Sequence, residues 1–216
     1  MKNDVGFVVQ QRPYPPDWLF ALDTPNFAPA PELWKWIKQI FLNPEHKLFN
    51  PDHQHLGAFY YPQIAVIWAN GGFRKQGRFV VGQAEKIMIN AGGWKKARQE
   101  EQYYQWFQTM PEYLITIDAQ YAKQSNDVNF CALIEHELYH IAHKLDEWGA
   151  PSYNRETGKP KLEIRSHDVE EFVGVVRRYG ATSKEIEEMA KAVNSRPEVS
   201  KADIYHACGT CYLKVV

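Results

Sequence analysis

"ALIEHELYHIAHKLD", residues 132–146, places three histidines and three acidic residues inside an otherwise apolar stretch. Charged and imidazole side chains are costly to bury unless something satisfies them. Leu133, Ile134, Leu138, Ile141, Ala142 and Leu145 supply apolar material at helical spacing. The spacing predicts a helix over residues 129–146, stopped by Gly149 and Pro151. On that helix His136, His140 and His143 fall within about 60° of one another.

His136-Glu137-Leu138-Tyr139-His140 reads H-E-x-x-H. Positions i and i+4 lie ~40° apart around a helix axis and one turn apart along it. Two imidazoles so placed can hold one metal ion. Glu137, ~100° from His136, can serve as general base on a metal-activated water without being a ligand. Zinc suits the site: it takes imidazole nitrogen, prefers four ligands and lowers the pKa of bound water towards ~7. His143 is read as a group behind the site, because three consecutive turns of one straight helix suit tetrahedral closure poorly.

The third ligand must come from elsewhere. "SHDVEEFVGVVRRYG", residues 166–180, offers His167, Asp168, Glu170 and Glu171. The pattern predicts one helix over 167–180, with Val169, Phe172, Val173 and Val176 as its apolar stripe and Gly174 allowing close approach. His167 and Glu171 would then face one point. His167 is the first choice, then Glu171, then Glu170; a His₃ and a His₂Glu site are both sound zinc chemistry. Asp168 would orient an imidazole from behind.

Working outward, "PELWKWIKQIFL" (31–42) predicts a helix and "NPEHKLFNPDHQHLG" (43–57) a loop. "QIAVIWAN" (63–70), "GRFVVGQAEKIMI" (77–89) and "PEYLITIDAQYA" (111–122) predict strands. Gly82 marks a bulge candidate, and residues 71–77 would turn the first of these strands back onto the second. "KKARQEEQYYQWFQTM" (95–110) predicts a polar helix with Tyr103, Trp106 and Phe107 on one side, and Ser183 caps a last helix over 183–193. Strands followed by a run of helices give an α+β fold, a small and mostly antiparallel sheet packed on the H-E-x-x-H helix. Residues 1–50 read as an extension with one helix, and 51–216 as the main domain.

The composition is that of a globular protein, 44% hydrophobic and 24% charged, with a formal net charge of −1. That charge gives no bulk attraction to nucleic acid or to an anionic membrane. No run approaches the ~20 apolar residues of a membrane span, and the N-terminus carries no apolar signal core. The expected location is a cytoplasm. The three cysteines are too few for a disulfide scaffold. Cys131 reads as core. The tail "HACGTC" makes His206, Cys208 and Cys211 a candidate second metal or redox site, to which His53 or His55 could contribute.

"CALIEHELYHIAHKLDEWGAP", "HDVEEFVGVVRRYG", "ACGTCYLKV", "GRFVVGQAEK" and "KARQEEQYYQWF" together resemble the putative phage metallopeptidase family, from about His53 to the C-terminus. More loosely, the order of elements resembles minimal gluzincin-like and SprT-like zinc peptidases. The resemblance implies a zinc-dependent peptidase acting on a protein or peptide substrate, in the host cytoplasm if the gene is of phage or prophage origin. It also implies an edge strand just before the active helix, here "EYLITIDAQY", that pairs with the substrate backbone. The alternatives are a non-catalytic zinc-binding regulatory or interaction module, and a hydrolase of non-peptide amides.

Overall fold

The computed structural model describes residues 11–21, 26–72, 74–75, 78–169, 173–181, 183–202 and 207–208. Its main sheet is built from β1 (Asn26–Pro29), β2 (Ile64–Asn70), β3 (Arg74–Lys75), β4 (Arg78–Lys86) and β5 (Tyr113–Asp118), in the order β1-β2-β5-β4-β3, and a short C-terminal strand, β8 (Ala207–Cys208), adds to β4. The class is α+β, as the sequence predicts, but the sheet is mixed. β2 pairs parallel with β5 and β8 parallel with β4, whereas the β1–β2, β3–β4 and β4–β5 ladders are antiparallel.

β2 is an inner strand. Every residue from Ile64 to Ala69 is buried, as in a strand covered on both faces. Ile64, Val66 and Trp68 point to the larger core, while Ala65 and Ile67 point to a smaller one on the opposite face. β1 and β5 take its two edges. The expected hairpin between residues 63–70 and 77–89 is therefore not formed; β5 lies between them, and β4 turns back only on the short β3.

The helices cover both faces. α2 (Gly93–Phe107) brings Tyr103, Trp106 and Phe107 against Ala65, Ile67 and Leu114. On the other face lie α1 (Pro31–Ile40) and α4 (Asp127–Tyr139), joined by Phe130, whose ring centroid is 5.8 Å from Trp36 and 6.3 Å from Trp68. Burying one such large side chain is worth about 1.5–3 kcal/mol. α1 and β1, from the N-terminal extension, thus share the core of the main domain. Arg12 fastens the lead-in to the start of α4: its guanidinium lies 4.5 Å from the Phe130 ring centroid, 2.6 Å from the Ser125 carbonyl and 3.2 Å from Asp127. The short α3 (Ala119–Gln124) follows β5 directly, with Asp118 as its N-cap.

Two corrections concern the segments around the motif. α4 is shorter than predicted, and the chain turns into a strand, β6 (Ile141–His143), which pairs antiparallel with β7 (Leu162–Ile164). Residues 167–169 are not helical, and α5 spans only Val173–Tyr179 before Gly180, at φ +81°. Neither α5 nor α6 (Lys184–Asn194) has a buried residue among those described. Of the predicted apolar stripe, Val173 is 72% exposed and Val169 and Val176 are half-buried, while Phe172 lies outside the described residues. Residues 51–58, expected as loop, form 3₁₀ turns opened by Asn50, whose side chain accepts from the Asp52 amide.

Candidate metal centre

α4 is oriented by its surroundings before its chemistry begins. Asn126 caps its N-terminus, accepting from the Asn129 amide at 2.8 Å. On its outer side Asn50 donates to Glu135 at 2.8 Å and to the Tyr139 hydroxyl at 3.1 Å, and Tyr139 donates to Asp52 at 2.8 Å. Burial, with Asp52 adding to it, pushes the Tyr139 phenol up to about 12. His53, 1% exposed, packs its ring 4.4 Å from that of Tyr139.

His136 lies in the last turn of α4, and His140 is its C-cap. Arg165, just past β7, holds this end. Its amide donates to the His140 carbonyl at 3.0 Å and its Nε to the Tyr139 carbonyl at 2.9 Å, satisfying two carbonyls that a helix end leaves open. Its own carbonyl lies 2.8 Å from His140 Nδ1. A carbonyl can only accept, so Nδ1 carries the proton and Nε2 is left with a lone pair. Two residues further, His167 arrives beside His136. The β6–β7 hairpin is therefore the device that brings the third imidazole back to the helix.

The three rings form a nearly equilateral triangle, with centroids 5.0, 5.0 and 5.2 Å apart. His136 Nε2 is 3.3 Å from His140 Nε2 and 3.2 Å from His167 Nε2. Tetrahedral coordination with metal–nitrogen bonds of 2.0–2.1 Å requires nitrogens about 3.3–3.4 Å apart. A shared proton can serve one such pair at a time; a metal ion serves all three, and the triad fits one. Among the described residues this is the only group of histidine, cysteine and carboxylate side chains close enough for a metal. It opens on a cleft of ≈ 370 Å³ lined by His136, Tyr139, His140, Arg165, His167 and Met189.

Glu137 points elsewhere on the helix. It is 0% exposed and lies against β4 at Gly82. A Cβ added to Gly82 would come within 2.9 Å of the Glu137 carboxyl carbon and 3.0 Å of its Cγ. The glycine read as a bulge is thus also the space that receives this carboxylate; the ladder to β8 is indeed irregular between Val80 and Gly82. Gly82→Ala is expected to displace Glu137 and to cost about 1–3 kcal/mol of stability, as overpacking does, without loss of metal. Urea unfolding together with metal analysis checks this.

The remaining predicted residues divide. His143 is not behind the metal triad. Its place on β6 turns it to the Ser152 carbonyl, 2.9 Å from Nε2, and to His55, whose ring stacks on it at 5.7 Å. Burial lowers the His55 pKa, and its Nε2 is 2.8 Å from the Ile141 carbonyl. Asp168 pairs with Arg165 at 3.2 Å, so it steadies the clamp on His140. Glu170, Glu171, His206 and Cys211 lie outside the described residues, as does the side chain of Cys208. The geometry that made Glu171 a partner of His167 required a helix through residue 167, which is absent. Cys131 is buried as expected, its thiol pushed up to about 12 by burial. His167→Ala is expected to weaken zinc binding more than about 100-fold, and His143→Ala to leave it unchanged, in a chelator competition titration.

The Arg165 clamp and the Gly82 niche carry no local sequence signal. Asn50-Pro51-Asp52 does, because asparagine followed by proline is a helical-turn start.

Fold and triad together define an α+β protein with a three-histidine candidate metal centre. The chain belongs to the putative phage metallopeptidase family, whose sequence model matches residues 34–194. The family name gives the coarse activity, a metal-dependent peptidase. The match starts within α1 and ends with α6, so it takes in more of the N-terminal region than the resemblance did and stops before the cysteine-bearing tail. No curated protein and no solved structure matched the chain significantly. No helix among the described residues is long and apolar enough to cross a membrane.

Proposed function

We propose that the protein is a zinc-dependent peptidase in which His136, His140 and His167 hold the metal and Glu137 is the general base. The observation that carries this reading is the clustering of three imidazoles, with His136 Nε2 3.2–3.3 Å from the Nε2 atoms of His140 and His167 and the His140 nitrogen left with a lone pair by Arg165. A zinc ion held there would supply Lewis acidity and would lower the pKa of a bound water to about 7. Glu137 accepts the proton of the attacking water as its oxygen joins the scissile carbonyl carbon. It then delivers that proton to the departing amine nitrogen as the C–N bond breaks. Arg165 and Asp168 position His140. The substrate is a protein or peptide, and the expected location remains a cytoplasm, that of the host for a phage gene.

One observation favours a second reading, a non-catalytic zinc-binding regulatory or interaction module: Glu137 is fully buried, although a base must be reached by its water. The test is hydrolysis of a reduced and carboxymethylated protein by the zinc-loaded chain, after chelation, and after zinc is restored. Cleavage lost and regained supports the peptidase. Stoichiometric zinc with no cleavage under any condition supports the module.

A further inference from the structure

The sequence reading placed the substrate on "EYLITIDAQY". β5, formed from that stretch, is a central strand with β2 on one edge and β4 on the other, and can accept nothing further. The strand with an outer edge beside α4 is β4. β3 covers that edge at Arg78 and Phe79, and β8 covers the next stretch, with Val80 opposite Ala207 and Gly82 opposite Cys208. Gly82 is therefore flanked by Ile117 on one side and the C-terminal segment on the other, with Glu137 packed on it. An open sheet edge is a template for an extended peptide. Here the template lies beside the proposed base, and β8 occupies it. β8 lies beyond the residues the family shares.

We propose that the outer edge of β4 around Val80–Gln83 is a docking edge for an extended peptide, and that β8 is its resident occupant, displaced when a substrate binds. The tail's role as an inhibitor rests on the peptidase reading; its docking does not. A ladder of two residue pairs is short, so a peptide that pairs with more of β4 displaces it.

The test uses the full-length, zinc-loaded chain carrying Ala207→Pro and Cys208→Pro, which remove both β8 amide donors, and a Cys208→Ser control. Amide exchange of residues 80–83 and cleavage of a reduced, carboxymethylated protein are read in parallel. The proline pair should raise exchange there at least tenfold and cleavage at least fivefold, and Cys208→Ser should change neither. A synthetic peptide of residues 201–216, added to the proline variant, should restore protection. In the wild type, saturating unfolded protein should raise exchange in the segment containing residues 207–208, a readout that needs no variant. Unchanged exchange at 80–83 in a folded proline variant, no protection by the added peptide, or an equal effect of Cys208→Ser overturns the proposal. If these exchange results hold and nothing is cleaved, the peptidase reading fails and the docking edge stands.

Discussion

His136→Ala combined with His140→Ala is expected to leave the chain without its metal: from about one zinc per chain to less than about 0.1 after dialysis against buffer without chelator. Two of the three nitrogens at 3.2–3.3 Å spacing are removed, and His167 alone is an exposed imidazole. A ligand that binds only the folded state at 1,000 times its Kd adds about 4.1 kcal/mol of stability. Zinc should therefore raise the Tm of the wild type and leave that of the double variant unmoved. His140 has a second duty, because its Nδ1–H donates to the Arg165 carbonyl at 2.8 Å. A typical hydrogen bond contributes about 0.5–1.5 kcal/mol, so the apo double variant should be somewhat less stable than apo wild type. His167→Ala separates the two effects: it removes a ligand from an exposed position and should leave apo stability unchanged. Full zinc occupancy in the double variant would sink the site as drawn.

The site was legible in sequence where it was local, and illegible where it depended on the hairpin. The spacing of His136 and His140 is a property of one helix turn, so the H-E-x-x-H pattern brings the two rings together, and their centroids lie 5.0 Å apart. Residue type points to His167, but helical periodicity puts it in a helix that starts later, since residues 167–169 are not helical. The structure delivers it through β6 and β7, and nothing in "IAHKLDEWG" announces a strand. Helical periodicity carries straight on through Ile141 and Leu145 while the backbone leaves the helix at His140. Tertiary pairing overrode local pattern there, and His143 moved with it. The same limit applies to the sheet. β2 and β5 were recognisable from their β-branched runs, but strand order is a long-range property. The helices of the C-terminal region are legible from capping and spacing, as at Ser183, whereas nothing in their spacing shows that none of their described residues is buried.

Glu137→Gln is expected to abolish hydrolysis while leaving fold and zinc in place. Gln is close to Glu in size, so it fits the niche that Gly82 leaves open, and Glu137 is not one of the three nitrogen donors. An amide cannot take a proton from water at neutral pH, and loss of a general base commonly costs about 10²–10⁴ in rate. The variant should keep about one zinc per chain, unfold at nearly the wild-type urea midpoint, and bind unfolded protein without cutting it. Its effect should be the same with and without the Ala207→Pro/Cys208→Pro change, because removing the tail cannot replace the carboxylate. Three results would speak against the role assigned. Loss of zinc would mean that the carboxylate holds the metal site together. A large fall in stability with activity retained would make Glu137 a packing group of β4. Equal cleavage by wild type and variant at matched zinc loading would mean that another group accepts the proton, and the burial of Glu137 would then be its whole function.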